Sequence, residues 1–381
     1  MNVRPVWAEV SRSKLLHNFR LLRSLAGQAD LLAVVKANAY GHGTAACSQV
    51  LAEGGVKWLG VTDVNEGVAA RAVSPKAEIL AMGGLWTGEA ETAIAHRLTP
   101  VVWESFHLEE AARVGQPIPV HLEIDTGMSR QGVRFGDLPA LLDKLQALPD
   151  LQLNGVLTHF HSPEVLDSSA TQEQLAQFVT SVDTIYARGL RPRWIHAGSS
   201  ASLLECGTDA LVKLAEKHGA KAMLRPGLAL YGYAPRFSGS ERLAIADKLT
   251  PVLTWKTRVT SLRTIEPGET AGYCATFRAV RRTRLALLPV GYADGLNRLL
   301  SNRGAVLVRG QRAQMAGRIS MDLTIVDVTD VPGVEIGDEV VLIGEQGTER
   351  MTAYDHADLA GTIPYEILCN ISARVPRVMV D

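Results

Sequence analysis

Residues 30–43 read DLLAVVKANAYGHG. Leu31 to Val35 is an unbroken apolar run, short enough for a strand buried on both faces. It stops at Lys36. Small residues and glycines follow, and then Thr44 to Glu53 takes helical spacing. Strand, loop and helix in that order make the unit from which parallel sheets are built. The lysine is the unusual residue, because a charge at the end of a buried strand loses hydration unless a site uses it. Either its stem snorkels to solvent, or burial favours the neutral amine, which is a nucleophile or a base.

Working outward, the same unit recurs. Trp7 to Val10 alternates as a short strand, and Ser11 to Ala26 carries leucines and a phenylalanine at amphipathic spacing, with Ser11 as N-cap. Apolar runs then fall at 57–62, 78–82, 99–103, 118–125, 153–159, 193–197 and 222–225. Helix-like segments at 64–73, 89–96, 105–114, 138–148 and 171–188 separate them. With the run before Lys36 these make eight strands, which points to an α/β chain whose first part is a TIM-type (β/α)8 barrel, usually ~250 residues. An open doubly wound sheet is the other arrangement, but no GxGxxG follows the first strand. Near Lys248 the pattern changes. Strand-like runs at 252–259, 285–290, 305–308, 323–328 and 339–343 are separated by turn residues such as Pro267-Gly268 and Val331-Pro332-Gly333. A helix-like piece at 353–360 and a strand-like run at 370–380 complete a mainly antiparallel β domain. The expected division is 1–245 for the barrel and 246–381 for the β domain.

The chain has 381 residues, more than one ordinary core holds. Its 39 basic and 40 acidic residues leave a net charge of −1, so no excess of positive charge points to nucleic acid or an acidic membrane. Cys47, Cys206, Cys274 and Cys369 are scattered and form no Cys-x-x-Cys, so neither zinc nor a disulfide framework is expected. Reduced thiols fit the cytoplasm. MNVRPVWAEVSRSK lacks the apolar centre of a signal peptide, and no apolar stretch has membrane-spanning length.

In a barrel of this type, reactive groups gather at the carboxyl ends of the strands. Lys36 ends the first. Asp125-Thr126-Gly127-Met128-Ser129-Arg130 follows the fifth, His159 ends the sixth, His196-Ala197-Gly198-Ser199-Ser200 follows the seventh and Arg225-Pro226-Gly227 ends the eighth. Taken singly, Arg130 reads equally as a surface arginine, His159 as a bonded core histidine and Ser199-Ser200 as a helix cap. A free helix N-terminus is also a phosphate site. His159 and His161 point to opposite faces of an extended strand, so they do not share a metal, and no metal is expected.

The words AVVKANAYGHG, EIDTGMSRQG, LTHF, LRPGLALYG, GYCATFRA, VGYADG, GRISMDL and IPYEILCNISARVPR, in this order, resemble the alanine racemase family over essentially the whole chain. The resemblance implies pyridoxal 5′-phosphate (PLP) held on Lys36 as a Schiff base. Tyr40, Ser200, the Gly227 and Leu228 amides and Tyr365 would hold its phosphate. His159 would lie against the ring and Arg225 would face the pyridine nitrogen. Arg130 would contact the ring hydroxyl and receive the substrate carboxylate with the Met321 amide. Tyr273 would be the second catalytic base, Tyr292 would line the entrance, and Asp322 would be a supporting residue. The family is a homodimer, so Tyr273, Tyr292 and Met321 would come from the partner. The implied substrates are L- and D-alanine, with D-alanine serving peptidoglycan.

Two bases on opposite faces of one carbon suit racemisation. A free tyrosine titrates near ~10, so Tyr273 needs cationic or hydrogen-bonding neighbours such as His159 and Arg225. Without the motif, Tyr273 reads as an aromatic packed on a sheet. Arginine cannot take a proton from the pyridine nitrogen, which limits the electron sink and its side reactions. Three departures from the family stand out. Glu123 occupies a position where many relatives carry a carbamylated lysine, and its carboxylate is expected to position Arg130 directly or through water or an ion. Ser320 and Ala373 replace a common cysteine and tyrosine. The alternatives are a broader amino-acid racemase, a PLP-barrel decarboxylase or aldolase, and a non-catalytic PLP-binding protein.

Overall fold

The structure is a computed structural model, and it describes residues 4–205, 208–238 and 244–381. Cys206 lies outside the described residues. The described chain divides into two units: residues 13–39 with 44–250, and residues 4–12, 40–43 and 251–381.

The first unit is the barrel. Asp30–Val34, Trp58–Val61, Glu78–Ala81, Leu98–Val102, Ile118–Asp125, Leu151–Thr158, Trp194–His196 and Lys221–Leu224 pair in parallel, each with its neighbours in sequence. The eighth strand pairs with the first, Met223 opposite Asp30, which closes the ring. A two-residue strand, Val133–Arg134, adds to the end of the fifth. The apolar runs are continuous because both faces are covered, inward by barrel side chains and outward by helices. Leu138–Gln146 shows how a helix meets that demand. Leu138, Leu141, Leu142 and Leu145 form its one buried stripe, each side chain contributing about 1.5–3 kcal/mol when withdrawn from water. The longest helix, Ser169–Ala187, is capped by the Ser168 hydroxyl accepting the Thr171 amide.

The second unit is a mainly antiparallel sheet. Its strand order runs from Ser261–Ile265 through Thr283–Leu288, Thr324–Asp327, Gln311–Met315, Ala305–Val308 and Glu339–Gln346 to Leu253–Arg258. The chain's first strand, Val6–Ser11, pairs antiparallel with Leu253–Arg258 and parallel with Arg377–Val380. Residues 4–12 therefore find their backbone partners in this sheet, although residue order groups them with the barrel. Ala353–Ala360 is helical, with the Thr352 and Asp355 side chains exchanging cap bonds. The expected strand over 370–380 is corrected. Only Arg377–Val380 is a strand, preceded by the helix Pro364–Cys369 and a turn closed by the Val375 amide on Ser372 O. Proline at 376 cannot donate to a ladder, which delays the strand.

Candidate active site

The barrel brings its unusual polar residues to one end. Lys36 stands two residues beyond the first strand, at the head of a left-handed turn in which Ala37, Asn38, Ala39 and Tyr40 have φ of 52°, 54°, 52° and 53°. Each non-glycine residue in that region costs about 1–2 kcal/mol, so the turn needs outside support. Ala39 N–H donates to Val35 O at 2.9 Å. The Glu66 carboxylate accepts the Ala37 amide at 2.8 Å through Oε1 and the Thr62 amide at 2.8 Å through Oε2. Asn38 Oδ1 accepts the Thr44 amide at 3.0 Å, and Tyr231 Oη donates to Val34 O at 2.9 Å. Burial, followed by the charges of Arg130 and Arg225, holds the Lys36 amine below the usual lysine range.

Arg225, just after the eighth strand, is buried at 6 % exposure. Its Nη2 donates to Thr158 O at 2.6 Å and lies 3.3 Å from His159 Nδ1, while Nη1 lies 3.3 Å from His196 Nδ1. Burial pulls its pKa down to about 10, opposed by Glu123. Burial and then the neighbouring cations Arg225, Arg130 and Lys36 lower His159 to about 3, so its ring is neutral. The sixth strand ends at Thr158. His159 therefore turns toward Arg225 while exposed His161 bonds to Ser162; a local bend, not strand alternation, separates the two rings.

Glu123 is buried on the fifth strand, 3 % exposed. Gln131 Nε2 donates to its Oε2 at 2.5 Å and to Met82 O at 3.1 Å. Among the described residues Glu123 makes no hydrogen bond to Arg130, which is exposed; the two interact through charge. Burial raises the Glu123 pKa, opposed by Gln131, Arg225, Arg130 and Lys36 in that order. Asp125 Oδ1 accepts the Gly127 and Ser129 amides, both at 3.0 Å, and so shapes the turn that presents Arg130.

At the next two strand ends, buried Ser200 Oγ accepts the Gly227 amide at 3.0 Å and the Ala229 amide at 3.2 Å. With its acceptor sites used by these amides, the hydroxyl proton remains for an anion. Between those amides, the Leu228 N–H has no protein acceptor among the described residues. A hydroxyl, a free amide and a primary amine at one end of a barrel are the donor set that a phosphate and an aldehyde require. The residues present fit PLP.

The second unit carries the other candidates. Tyr40 and Tyr365 have ring centroids 6.0 Å apart. Burial, then the nearby Tyr365 and Cys369, raise the Tyr40 pKa. Tyr273 opens a short 3-10 turn, Tyr273–Ala275, and not a sheet position, after Gly272 at φ 74°. It is 69 % exposed, and Met321 and Tyr292 are exposed as well. The loops bearing these last two are joined, with Tyr292 N–H on Ser320 O and Ala293 N–H on Met321 O, both 3.0 Å. A Cβ at Gly291 would fall 2.3 Å from the Ser320 and Met321 carbonyls, so only glycine permits this approach. Asp322 is held by Arg374 at 2.6 Å.

The alanine racemase N-terminal domain family matches residues 10–235 and the alanine racemase C-terminal domain family residues 252–379. This chain belongs to the alanine racemase family. An alanine racemase of Sorangium cellulosum is 40% identical over 390 residues, 98% of this chain and 99% of that protein. One from Halothermothrix orenii is 39% identical over 379 residues, 98% and 96% of the two chains. Among solved structures, the alanine racemase of Streptomyces coelicolor superposes with a TM-score of 0.90 at 34% identity, covering 100% of this chain and 99% of that one. The Bartonella henselae alanine racemase, solved with covalently bound pyridoxal phosphate, gives 0.84 at 27% identity, covering 99% of each.

Family motifs left some of these groups unread. Glu66 looks like an ordinary first-turn glutamate following the cap Asp63. Gln131 sits in a matched word without a role. His121 carries the clearest signal, a histidine in the middle of the buried strand IPVHLEID.

Proposed function

We propose that this chain, a PLP-dependent isomerase of the alanine racemase family that interconverts L- and D-alanine, uses Lys36 and Tyr273 as bases on opposite faces of the substrate. The observation that carries the reading is the convergence of Lys36, His159, Arg225, Ser200 and the Leu228 amide on one end of the barrel. PLP, when bound, withdraws electrons from the amino acid's α-carbon and makes its proton removable.

The chain's residues do the rest. Lys36 carries the cofactor and, once substrate displaces it, holds or returns a proton with its amine. The lowered basicity of that amine keeps a larger neutral fraction near neutral pH, which is what a base requires. Ser200 and the Gly227–Leu228 turn take the phosphate, with Tyr40 and Tyr365 closing on it. His159 packs against the ring. Arg225, a donor only, would face the pyridine nitrogen of bound PLP and offer it no proton acceptor, which would weaken the electron sink that the cofactor supplies. Arg130 takes the substrate carboxylate with the Met321 amide, and Asp322, held by Arg374, is a supporting residue. Glu123, held by Gln131, supplies a buried carboxyl facing this cluster of cations.

The reading includes a homodimer in which Tyr273, Tyr292 and Met321 serve the partner's barrel. Their exposure on the single chain supports it, since large apolar and aromatic groups left in solvent are the usual material of an interface. No helix among the described residues is long and apolar enough to cross a membrane. The proposal includes a cytoplasmic place of work, with D-alanine going to peptidoglycan.

The test is purified holoenzyme with L-alanine in deuterated water. Loss of the α-proton signal with growth of D-alanine is expected. Release of carbon dioxide, or an unchanged substrate, would overturn the reading.

A further inference from the structure

Arg225 dictates more than its own contacts. A guanidinium has donors and no acceptor. The Nδ1 atoms of His159 and His196, each 3.3 Å from it, must therefore accept. A neutral ring carries one proton, so in both rings it sits on Nε2. His196 Nε2 lies 2.8 Å from Nδ1 of His121. Because the His196 nitrogen is a donor, His121 Nδ1 must accept, and the His121 proton is also on Nε2. One guanidinium thus sets the tautomers of three rings. The reverse arrangement, with the proton on His121 Nδ1, would leave His196 Nδ1–H facing an arginine N–H in a buried place.

The barrel is shaped to hold this chain of rings. His121 and His196 are both fully buried. Burial, reinforced by Arg225, holds His121 down to about 3. Burial and then His121 and Arg225 hold His196 well below the usual histidine range. Both rings are neutral at physiological pH, as the tautomer argument requires. The pairing of the fifth and sixth strands shifts register between Val120 and His121, which places His121 opposite Gly155. A Cβ at Gly155 would lie 2.6 Å from the His121 ring, so glycine makes the room. Trp58 flanks the ring with centroids 5.5 Å apart.

We propose that His121 is a positioning residue for Arg225: it supplies the terminal acceptor that keeps His196 in its Nε2–H form, so that His196 offers Nδ1 to the guanidinium and fixes its plane. The functional half rests on the reading that Arg225 faces the cofactor's pyridine nitrogen. The tautomer half does not.

The experiment is nitrogen NMR of the holoenzyme labelled with 15N in its histidine rings, joined to kinetics. In the wild type, His121 and His196 should both show protonated Nε2 and bare Nδ1, unchanged between about pH 6 and pH 9. His121→Phe removes the acceptor. It should bring in the Nδ1–H form of His196, move the cofactor's absorbance and lower kcat about tenfold or more, with KM for alanine within about twofold. His121→Asn places an oxygen where Nδ1 stood and should restore the tautomer, the spectrum and most of kcat. Protonated Nδ1 on His196 in the wild type overturns the proposal whether or not any variant folds. So does His121→Asn behaving as His121→Phe, or His121→Phe leaving the spectrum and kcat unmoved. These outcomes bear on a wild type that racemises alanine; failure of the wild type itself in deuterated water is the separate failure of the racemase reading.

Discussion

The Glu66 carboxylate accepts the Ala37 amide at 2.8 Å, tying the helix after the second barrel strand to the left-handed turn behind Lys36. The same carboxylate holds the Thr62 amide. The turn is strained in four consecutive non-glycine residues, Ala37 to Tyr40, so its geometry depends on such outside bonds.

Glu66→Ala leaves two amides without their acceptor and frees the turn. A loss of about 1–3 kcal/mol of stability is expected, together with weaker retention of PLP. Glu66→Gln keeps one acceptor oxygen and should fall between. Thermal melting and the imine absorbance after dialysis measure both effects. Unchanged melting and retention in Glu66→Ala would show that the turn holds its form unaided.

Glu123 is already a carboxylate, and Gln131 holds it at 2.5 Å. Activity should therefore be indifferent to removal of carbon dioxide or addition of bicarbonate. Glu123→Gln removes the anion whose charge raises the basicity of Lys36. The amine should then titrate lower, and the basic limb of apoenzyme modification by an amine-directed reagent should move to lower pH. An unmoved limb would mean the carboxyl is protonated in the folded chain.

How much of this was readable from the chain follows from where partners lie. The barrel was legible because eight apolar runs alternate with helical segments, and Lys36 because a charge interrupts such a run. Arg225, His159 and Ser200 were legible through the rule that polar groups collect at strand ends. The left-handed turn was not, since Ala37, Asn38 and Ala39 have no glycine to announce it. Glu66 lies 29 residues from the amide it holds, and His121 lies 75 residues from His196. Closure of the ring brings these together, and no local pattern encodes it. The helix Pro364–Cys369 was missed because it is only six residues long and opens on a proline straight after the helix Ala353–Ala360.

The neutral buried histidines bear on stability against pH. His121 is held near 3 and His356 near 4, both chiefly by burial, against about 6.5 in an unfolded chain. Between those values only the unfolded state takes up a proton. The full contribution is present above about pH 6.5 and is lost progressively as pH falls toward the folded values, by about 1.4 kcal/mol per pH unit for each ring. Urea unfolding at about pH 7 and pH 5 should show the drop, and His121→Asn should lessen it. Equal slopes for the two proteins would mean that His121 is already protonated in the fold or fails to titrate in the unfolded chain.

Arg225→Glu would put an acceptor against His196 Nδ1 and, in the proposed site, against the pyridine nitrogen of PLP. The long-wavelength absorbance that a protonated pyridine supports should rise during turnover, with racemisation falling and transamination appearing. Arg225→Lys keeps a charge but loses the planar fork that reaches Thr158 O, His159 and His196 together. It should lose kcat without gaining that absorbance. If both variants share one spectrum with the wild type, Arg225 does not govern the electronics of the ring.

Two inactive variants can decide whether the two bases come from different chains. On the proposed reading, Lys36→Ala and Tyr273→Phe each remove one of the two bases from every site of their own homodimer. In a heterodimer with shared sites, one site receives Lys36 from one chain and Tyr273 from the other and is intact, while the second lacks both. Random mixing makes half the dimers mixed, so about one quarter of wild-type activity should return on co-refolding or prolonged exchange. If Lys36 and Tyr273 of the same chain face each other, every site keeps one lesion and mixing restores nothing. The exposure of Tyr273, 69 % on the isolated chain, is what leads us to expect the quarter.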